Sequence, residues 1–545
     1  MSIAVEVGLL SGKTATVEAS FDEDVGTLKA RAQSALGVGT GRLMDSSGRF
    51  LDPCALIKDS PVQNDDALTL HIGQVKANGS NSSFAAILGD GSVVTWGDAE
   101  EGGDSSAVQD QLQNAQHIQA SDGAFAAILG DGSVVTWGNA HSGGDSSAVR
   151  DQLKNVQQIQ ATRTAFAAIL GDGSVVHWGD ADSGGDDRAL QAQLKNVLQI
   201  QATDYAFAAI LDDASVVTWG EPRSGGDSSR VQDQLKNVQQ IQAARDGAFA
   251  AIRVDGSVVT WGDVRVGGDS SAVQHQLADV HQIQASDRAF AAIRGDGSVV
   301  TWGDARLGAD SSDVQDQLAN VRQIHASRYG GFAAIRVDGS VVTWGSAPYG
   351  ADSRAVRDQL KNVLQIQASH AAFAASLPSG SVVTWGHAAY GGDSTYVQHQ
   401  LKSVEQIQAN SGAFAAILVD GSVVTWGHAG CGGDSSDVQH QLKNVAQIQT
   451  TGTAFAAILA DGSVDEIPAL AWAARKTWEE AEEDGRCREA HGDGAGGYLL
   501  ADLRRSVATA AFAEGDTARL ALTSGSDWLL GSLVLWSLMG CAEDI

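Results

Sequence analysis

A tryptophan returns along this chain at positions 96, 137, 178, 219, 261, 302, 344, 385 and 426, each 41 or 42 residues after the last. A phenylalanine keeps the same step twelve residues earlier, from Phe84 to Phe455. A fixed period of this size marks an array, a propeller or a solenoid, because one unit has an apolar face that only a neighbour can bury. The pattern predicts about nine 41-residue units and the start of a tenth, which breaks off at "DGSVDEIPAL" without its Trp strand. Closing such an array would then need a strand from elsewhere.

One unit reads "VQQIQATRTAFAAILGDGSVVHWGDADSGGDDRALQAQLKN". "VQQIQA" alternates as a strand does, "FAAIL" is a short apolar strand and "SVVHWG" a β-branched one. "GDG" between the last two supplies the positive φ of a tight hairpin turn. "GGDSSAVQDQL" and its variants predict a glycine bend and one short helix capped by Asp or Ser. Each unit thus offers at least three strands, and the fold class is mainly β. The recurrent Trp follows "VVT" on a strand and is expected to pack within its unit.

The stretch "QIQA…AFAAILGDGSVVTWGDA…GG" resembles a unit of the regulator-of-chromosome-condensation (RCC) repeat family, over about residues 74–464. "DGSVVTWG" is the most specific part. The family's "G..H" before the second strand is absent here, where the chain writes "SDGAF" or "TRTAF". The resemblance implies a β-propeller-like repeat array. Propellers usually have about 4–8 blades, so three arrangements stay open: a larger closed ring, units lying outside a ring, and an open spiral. The family includes an exchange factor for a small nuclear GTPase, and its repeats also occur in HECT-type ubiquitin ligases. Neither activity can be carried over. No residue here matches the exchange factor's loops, and the final 81 residues (465–545) are too few for a HECT domain, so Cys487 and Cys541 are not expected to be nucleophiles.

Residues 1–76 carry a different pattern. "IAVEVGLL" and "TATVEASF" alternate around a turn, "DEDVGTLKARAQSALG" spaces Val25, Leu28, Ala32 and Leu36 on one helix face, and short strands follow near Arg42–Met44, Phe50–Leu51 and Ala67–Ile72. The ββαββ order predicts a small helix-on-sheet domain. "SGKTATVEASFDEDVGTLKARAQSALGV" and "GRLMDSSGRFLDPCALIKDSPVQNDDALTLHI" resemble ubiquitin in order, which implies an α+β ubiquitin-like β-grasp domain. The resemblance places the ubiquitin-receptor patch on Leu10 and Met44, with Gly73 at its third position. The chain runs on as "GQVKANGS" instead of ending in diglycine, so a built-in module is expected, not a conjugated tag. A folded cap with no binding role is the competing reading. Residues 465–545 leave the repeat and are predicted to be divergent and partly helical.

A net charge of −30 argues against strong binding to nucleic acid or anionic membrane. The longest apolar stretch, "DWLLGSLVLWSLMG", is too short and interrupted to span a bilayer. Four scattered cysteines and no recognisable leader favour a reducing compartment, cytoplasmic or nuclear. Phosphate-loop, zinc-protease, nucleophile-elbow and CxxC signatures are missing, so no catalytic residue, metal or cofactor is expected. Asp104, Asp145, Asp227, Asp269 and Asp434 in the "GGD" loops read as caps in preference to calcium ligands. His177, His387 and His428 read as solvated loop residues.

Strand parity puts the "GDG" turns at one end of every unit and the loops before Phe and after Trp-Gly at the other. The first set barely changes; the second changes freely, as binding surfaces of repeat proteins do. Drift in exposed turns is the competing reading. The variable loops of the middle units carry Arg223, Arg245, Arg265, Arg288, Arg306 and Arg328, with Tyr329 and Tyr349. These residues predict a basic, tyrosine-flanked sector for a protein partner with an acidic surface. The function expected is a non-catalytic scaffold joining a ubiquitin-like domain to an RCC-like array, with ubiquitin-pathway proteins among its partners. Exchange on a small GTPase and an accessory role beside a HECT-type ligase are the alternatives.

Overall fold

The computed structural model describes residues 2–9, 13–36, 41–53, 55–64, 66–71, 75–186, 190, 192–459 and 464–467. Of the expected site residues, Leu10 and Gly73 lie outside these, as does nearly all of the segment after residue 464.

The first region has four strands, β1 (Ser2–Gly8), β2 (Thr14–Ser20), β3 (Arg42–Met44) and β4 (Ala67–His71), and one helix, α1 (Val25–Leu36). The sheet order is β2-β1-β4-β3, with β1 and β4 parallel and the outer pairs antiparallel. Asp24 opens the helix by accepting from the Thr27 amide at 2.6 Å. Val25, Leu28, Ala32 and Leu36 are its buried face, packed with Val5, Val7, Leu68 and Leu70. The expected Phe50–Leu51 strand is reduced to an isolated bridge from Met44 to Phe50.

Between residues 76 and 467 the described residues form ten three-stranded antiparallel sheets, here called blades 1–10. Blade 5 is typical: inner strand Val238–Ala244, middle strand Ala248–Arg253, outer strand Val258–Gly262. Its middle strand is buried on both faces, which is why the sequence there is a continuous apolar run. Ala248, Ala250 and Ile252 face blade 6, while Phe249 and Ala251 face blade 4. Each interface therefore sets small alanines of one blade against a large Phe and Trp of the next. Phe290 and Trp302 of blade 6 stack at 5.2 Å, and the Trp302 indole donates to the Gly267 carbonyl of blade 5 at 3.1 Å. Gly267 has φ +107, and a Cβ there would stand 2.6 Å from the Phe290 ring. The first Gly of each Gly-Gly or Gly-Ala pair thus lets one blade's loop cover the next blade's aromatic pair, and the expected packing role of Trp holds.

The number of units is corrected. Val464–Ile467 pairs with the middle strand of blade 10, and Ile467 stands opposite Phe455, the register at which Trp426 faces Phe414 in blade 9. The truncated tenth unit is thus completed by its own continuation, and no strand is borrowed. The inner strand of blade 10 packs on that of blade 1, Phe84 meets Ala454 and Ala456, and Thr453 Oγ1 donates to the Asn81 carbonyl at 3.3 Å. The array closes. Narrow three-stranded blades with alanine-lined interfaces are what allow ten to meet.

Two smaller expectations also change. The predicted capped helix is a 3-10 turn, such as Gln274–Gln276, after which the buried Leu277 enters the interface. The Asp269 carboxylate accepts from the Ser271 amide at 2.9 Å ahead of that turn, an Asx turn and not a helix cap. His177 is not a solvated loop residue. It occupies the Thr position of the outer strand of blade 3, is buried, and neither ring nitrogen has a hydrogen-bond partner.

Candidate binding face

The ends of the blades differ. At the upper end, the Asp-Gly-Ser turn repeats with one geometry: Asp255 Oδ1 accepts from the Ser257 amide at 3.0 Å and from its hydroxyl at 2.6 Å. These bonds, the hydroxyl's first, hold the Asp255 carboxyl below its ordinary range, and the same is true of Asp131, Asp172, Asp213, Asp296, Asp338 and Asp420. The first region docks on this end. Lys29 Nζ lies 2.9 Å from Asp90 in the blade 1 turn, and Arg42 Nη1 donates to Asn114 Oδ1 of blade 2 at 3.3 Å.

At the lower end, the loops joining inner to middle strands converge on the axis. Their backbones bond from blade to blade: Asp122 N to Arg163 O at 2.9 Å, Arg163 N to Asp204 O at 3.0 Å, Asp204 N to Arg245 O at 2.9 Å. Side chains at the same positions alternate in charge. Arg163 Nε bonds Asp122 at 2.6 Å, Arg245 Nε bonds Asp204 at 3.0 Å, and Arg328 Nε bonds Asp287 at 2.7 Å. Blades 2–3, 4–5 and 6–7 are thereby pinned in pairs. One residue further on, Arg288 pairs with Asp246. Burial pushes the Asp287 carboxyl above its ordinary value, but its partner is a guanidinium, charged at any accessible pH, so the pair stands as an ion pair. In blade 8 the axial position is His370, whose Nε2 lies 3.5 Å from Arg328 Nη1. Burial, then the charges of Arg328 and Arg245, push its pKa down to about 3.

Two cavities of about 400 and 260 Å³ open at this end. Small residues line most of their walls. Arg245, Arg328 and His370 line both, so these three side chains stand between the two.

The eight expected partner-binding residues all lie on this lower face, but they fall into two groups. Arg245, Arg288 and Arg328 are axial and each is paired with an aspartate of the preceding blade. The expected basic sector is therefore neutralised there, because those aspartates hold the blades together. Arg223, Arg265 and Arg306 are on the rim, at the middle of the 3-10 turn after Trp-Gly in blades 4, 5 and 6. Arg265 and Arg306 pair with Asp263 and Asp304 yet stay 82% and 88% exposed, so they remain reachable. The same rim position is Glu100 and Asp182 in blades 1 and 3. Tyr329 and Tyr349 meet edge to face at 5.4 Å, and Tyr329 also contacts His370 at 5.3 Å and Tyr390 at 6.3 Å. The sequence reading missed the axial alternation. The signal was present in the residue two places before each middle strand, or three where the loop is longer, as for Arg245 and Arg328, read down the units rather than along them.

Met44 is a half-buried residue of β3. Among the described residues no group of His, Cys, Asp or Glu has the arrangement to hold a metal ion, and no helix is long and apolar enough to cross a membrane.

No family model matches this chain, and no curated protein matches it. Among solved structures it is similar to the computationally designed Ika8 protein, at 15% identity and a TM-score of 0.28 over 57% of this chain and 95% of that one. It is also similar to Prp20p from Saccharomyces cerevisiae, described with its binding properties to Gsp1p and histones, at 16% identity and 0.31 over 62% and 87%. A third is the CRINKLY WD40 ectodomain of the Arabidopsis thaliana receptor kinase ACR4, at 16% and 0.28 over 50% and 97%. Likenesses of this size carry no argument about activity; the ring rests on its own strand pairing.

Proposed function

We propose that this chain is a non-catalytic protein-binding scaffold of the cytoplasm or nucleus. Its propeller-like, RCC-like ring presents a variable lower face to a protein partner, and a ubiquitin-like module sits on the opposite face. One observation carries the reading: the two ends of the same blades differ in how freely their loops vary, and the first region docks on the uniform end. The rim arginines 223, 265 and 306, with Tyr349 beside them, give a partner of acidic surface its contact, since Arg and Tyr supply large area with directed hydrogen bonds. The mixed order β2-β1-β4-β3 with a single helix supports the ubiquitin-like assignment, and partners in ubiquitin signalling follow from it.

The test is affinity capture with the full chain and with a chimera whose rim turns in blades 4–8 are replaced by that of blade 2, "NAHS". Partners retained by the chain and lost by the chimera support the scaffold. Equal capture by both overturns it. Stimulated nucleotide release from a panel of small GTPases would replace the scaffold by the exchange-factor reading.

A further inference from the structure

The axial arginines are held in a way the ion pairs alone do not require. Arg245 spends only Nε on Asp204. Its two terminal nitrogens have no hydrogen-bond partner among the described residues, and its side chain is half exposed to the cavity it lines. Arg328 bonds Asp287 through Nε and contacts His370 through Nη1, which leaves Nη2 without a partner among the described residues. Both arginines line both cavities, and their aspartates share the walls, Asp287 in the smaller cavity and Asp204 in the larger, each already held by its arginine's Nε. A guanidinium anchored at Nε keeps a planar pair of donors fixed in direction, the geometry that receives a carboxylate or phosphate bidentately.

We propose that the axial cavity between Arg245, Arg328 and His370 is an oxyanion site, taking one carboxylate or phosphate group. Each aspartate cancels the charge of its arginine at a distance but not at the tip. The neutral imidazole accepts from Arg328 and costs an entering anion nothing in repulsion. The cavity's about 260 Å³ admits a phosphate or the head of an acidic side chain, not a folded element. Small walls from Ala243, Ala285, Ala326 and Ala368 leave that depth open. The inference rests on the proposed binding face only in its choice of source. A partner's Glu or Asp would enter the axis while the rim arginines hold the surrounding surface, whereas a free phosphate would need no partner.

The experiment is calorimetric titration of the full chain, at low salt and pH 7, with inorganic phosphate and with a short glutamate-containing peptide. The key variant is the pair Asp204→Asn with Arg245→Gln, which removes the fork without stranding a charge. Arg245→Lys, which keeps a charge but not the fork, is the second variant, and Arg336→Gln at the upper turn of blade 7, whose Nε bonds the Ala319 carbonyl, is the control. Thermal melting checks that each is folded. The expected result is binding of at least one probe to the natural chain, weakened at least tenfold in the double variant and in Arg245→Lys, and unchanged in Arg336→Gln. Tighter binding of the peptide than of phosphate assigns the source to a partner's acidic side chain; the reverse assigns it to a free anion. Absence of binding by both probes, or equal binding by the folded double variant, overturns the site. Either result leaves the capture comparison with the rim chimera to decide the scaffold reading separately.

Discussion

The two ends of each blade are made from the same strands yet obey different rules. The upper end repeats one turn, in which Asp satisfies a Ser amide and hydroxyl at each described turn but one, as Asp338 does for Ser340; blade 8 writes Ser379 where the others write Asp. The lower end keeps its glycines and, in most blades, a Ser, Thr or Asn that closes the inner-to-middle loop, as Ser121 Oγ does by accepting from the Ala124 amide at 3.1 Å, and lets other residues change. The glycines stay because the loop runs beneath the next blade's aromatic pair, where a Cβ has no room. The residues between them vary because they face the axis or the rim. Uniformity thus marks contacts that every blade makes, whereas variation falls on pairs particular to two blades at the axis, such as Arg245 with Asp204, and on the exposed rim.

The largest test of this contrast is in the core. Phe290→Ala should cost about 3–5 kcal/mol, as large aromatic truncations do, seen as a large fall in melting temperature. Val254→Ala, at a turn of the upper face where the side chain is 72% exposed, should stay within about 0.5 kcal/mol. Equal effects would mean that the interfaces are not the ring's source of stability.

The axis comes next. Arg328→Ala strands Asp287, whose side chain is only 13% exposed, and should cost about 1–3 kcal/mol, the desolvation penalty of an unpaired polar group. Asp287→Asn with Arg328→Gln should recover most of that, measured by denaturant unfolding. If the double variant were the worse, the pinning role of the pairs would be wrong.

Titration separates the two ends again. The upper aspartates have depressed pKa values in the folded state, so their contribution is whole above the ordinary 3.8 and is lost as pH falls through the lowered folded values. His370 is also depressed, so its contribution is whole above 6.5 and declines as pH falls from there toward about 3. A melting profile should therefore begin to fall near pH 6.5, through the lower face, and steepen below pH 4, through the upper. His370→Gln should lessen the first part without removing it, because burial also depresses His325, to about 4, and burial with the Lys76 charge depresses His117. A profile flat down to pH 4 in the natural chain would contradict the buried, neutral His370.

The smallest effect belongs to the docking of the first region. Lys29→Ala should cost about 1 kcal/mol or less, since such pairs are weak and salt-screened, read as faster amide exchange in the Asp90 turn without a change elsewhere in the ring.

The sequence made the ring's repeat readable because every unit buries the same positions: the Phe, the Trp, the "DG" turn and the three-strand order all follow from spacing. The tenth blade was not readable, because Val464–Ile467 has no Trp and its membership is decided by backbone pairing with Phe455–Ile458. The face carrying the variable loops was legible from parity. The roles of its arginines were not. A lone Arg245 in a loop reads as free charge, and only the ring brings Asp204, 41 residues away, within 3.0 Å of it. His177 was misread for a related reason: its strand is buried on both faces, so a polar letter there does not signal solvent.

The central claim is that the lower face binds and the upper face supports. It is tested most directly by measuring, at low salt, the affinity of a captured partner for two folded triple variants. One carries Arg223→Glu, Arg265→Glu and Arg306→Glu on the lower rim, and the other Asp172→Ala, Asp213→Ala and Asp296→Ala on the upper turns. The rim variant should lose tenfold or more, about 1.4 kcal/mol, and the turn variant should bind as the natural chain does. Loss in the turn variant with full affinity in the rim variant would contradict it.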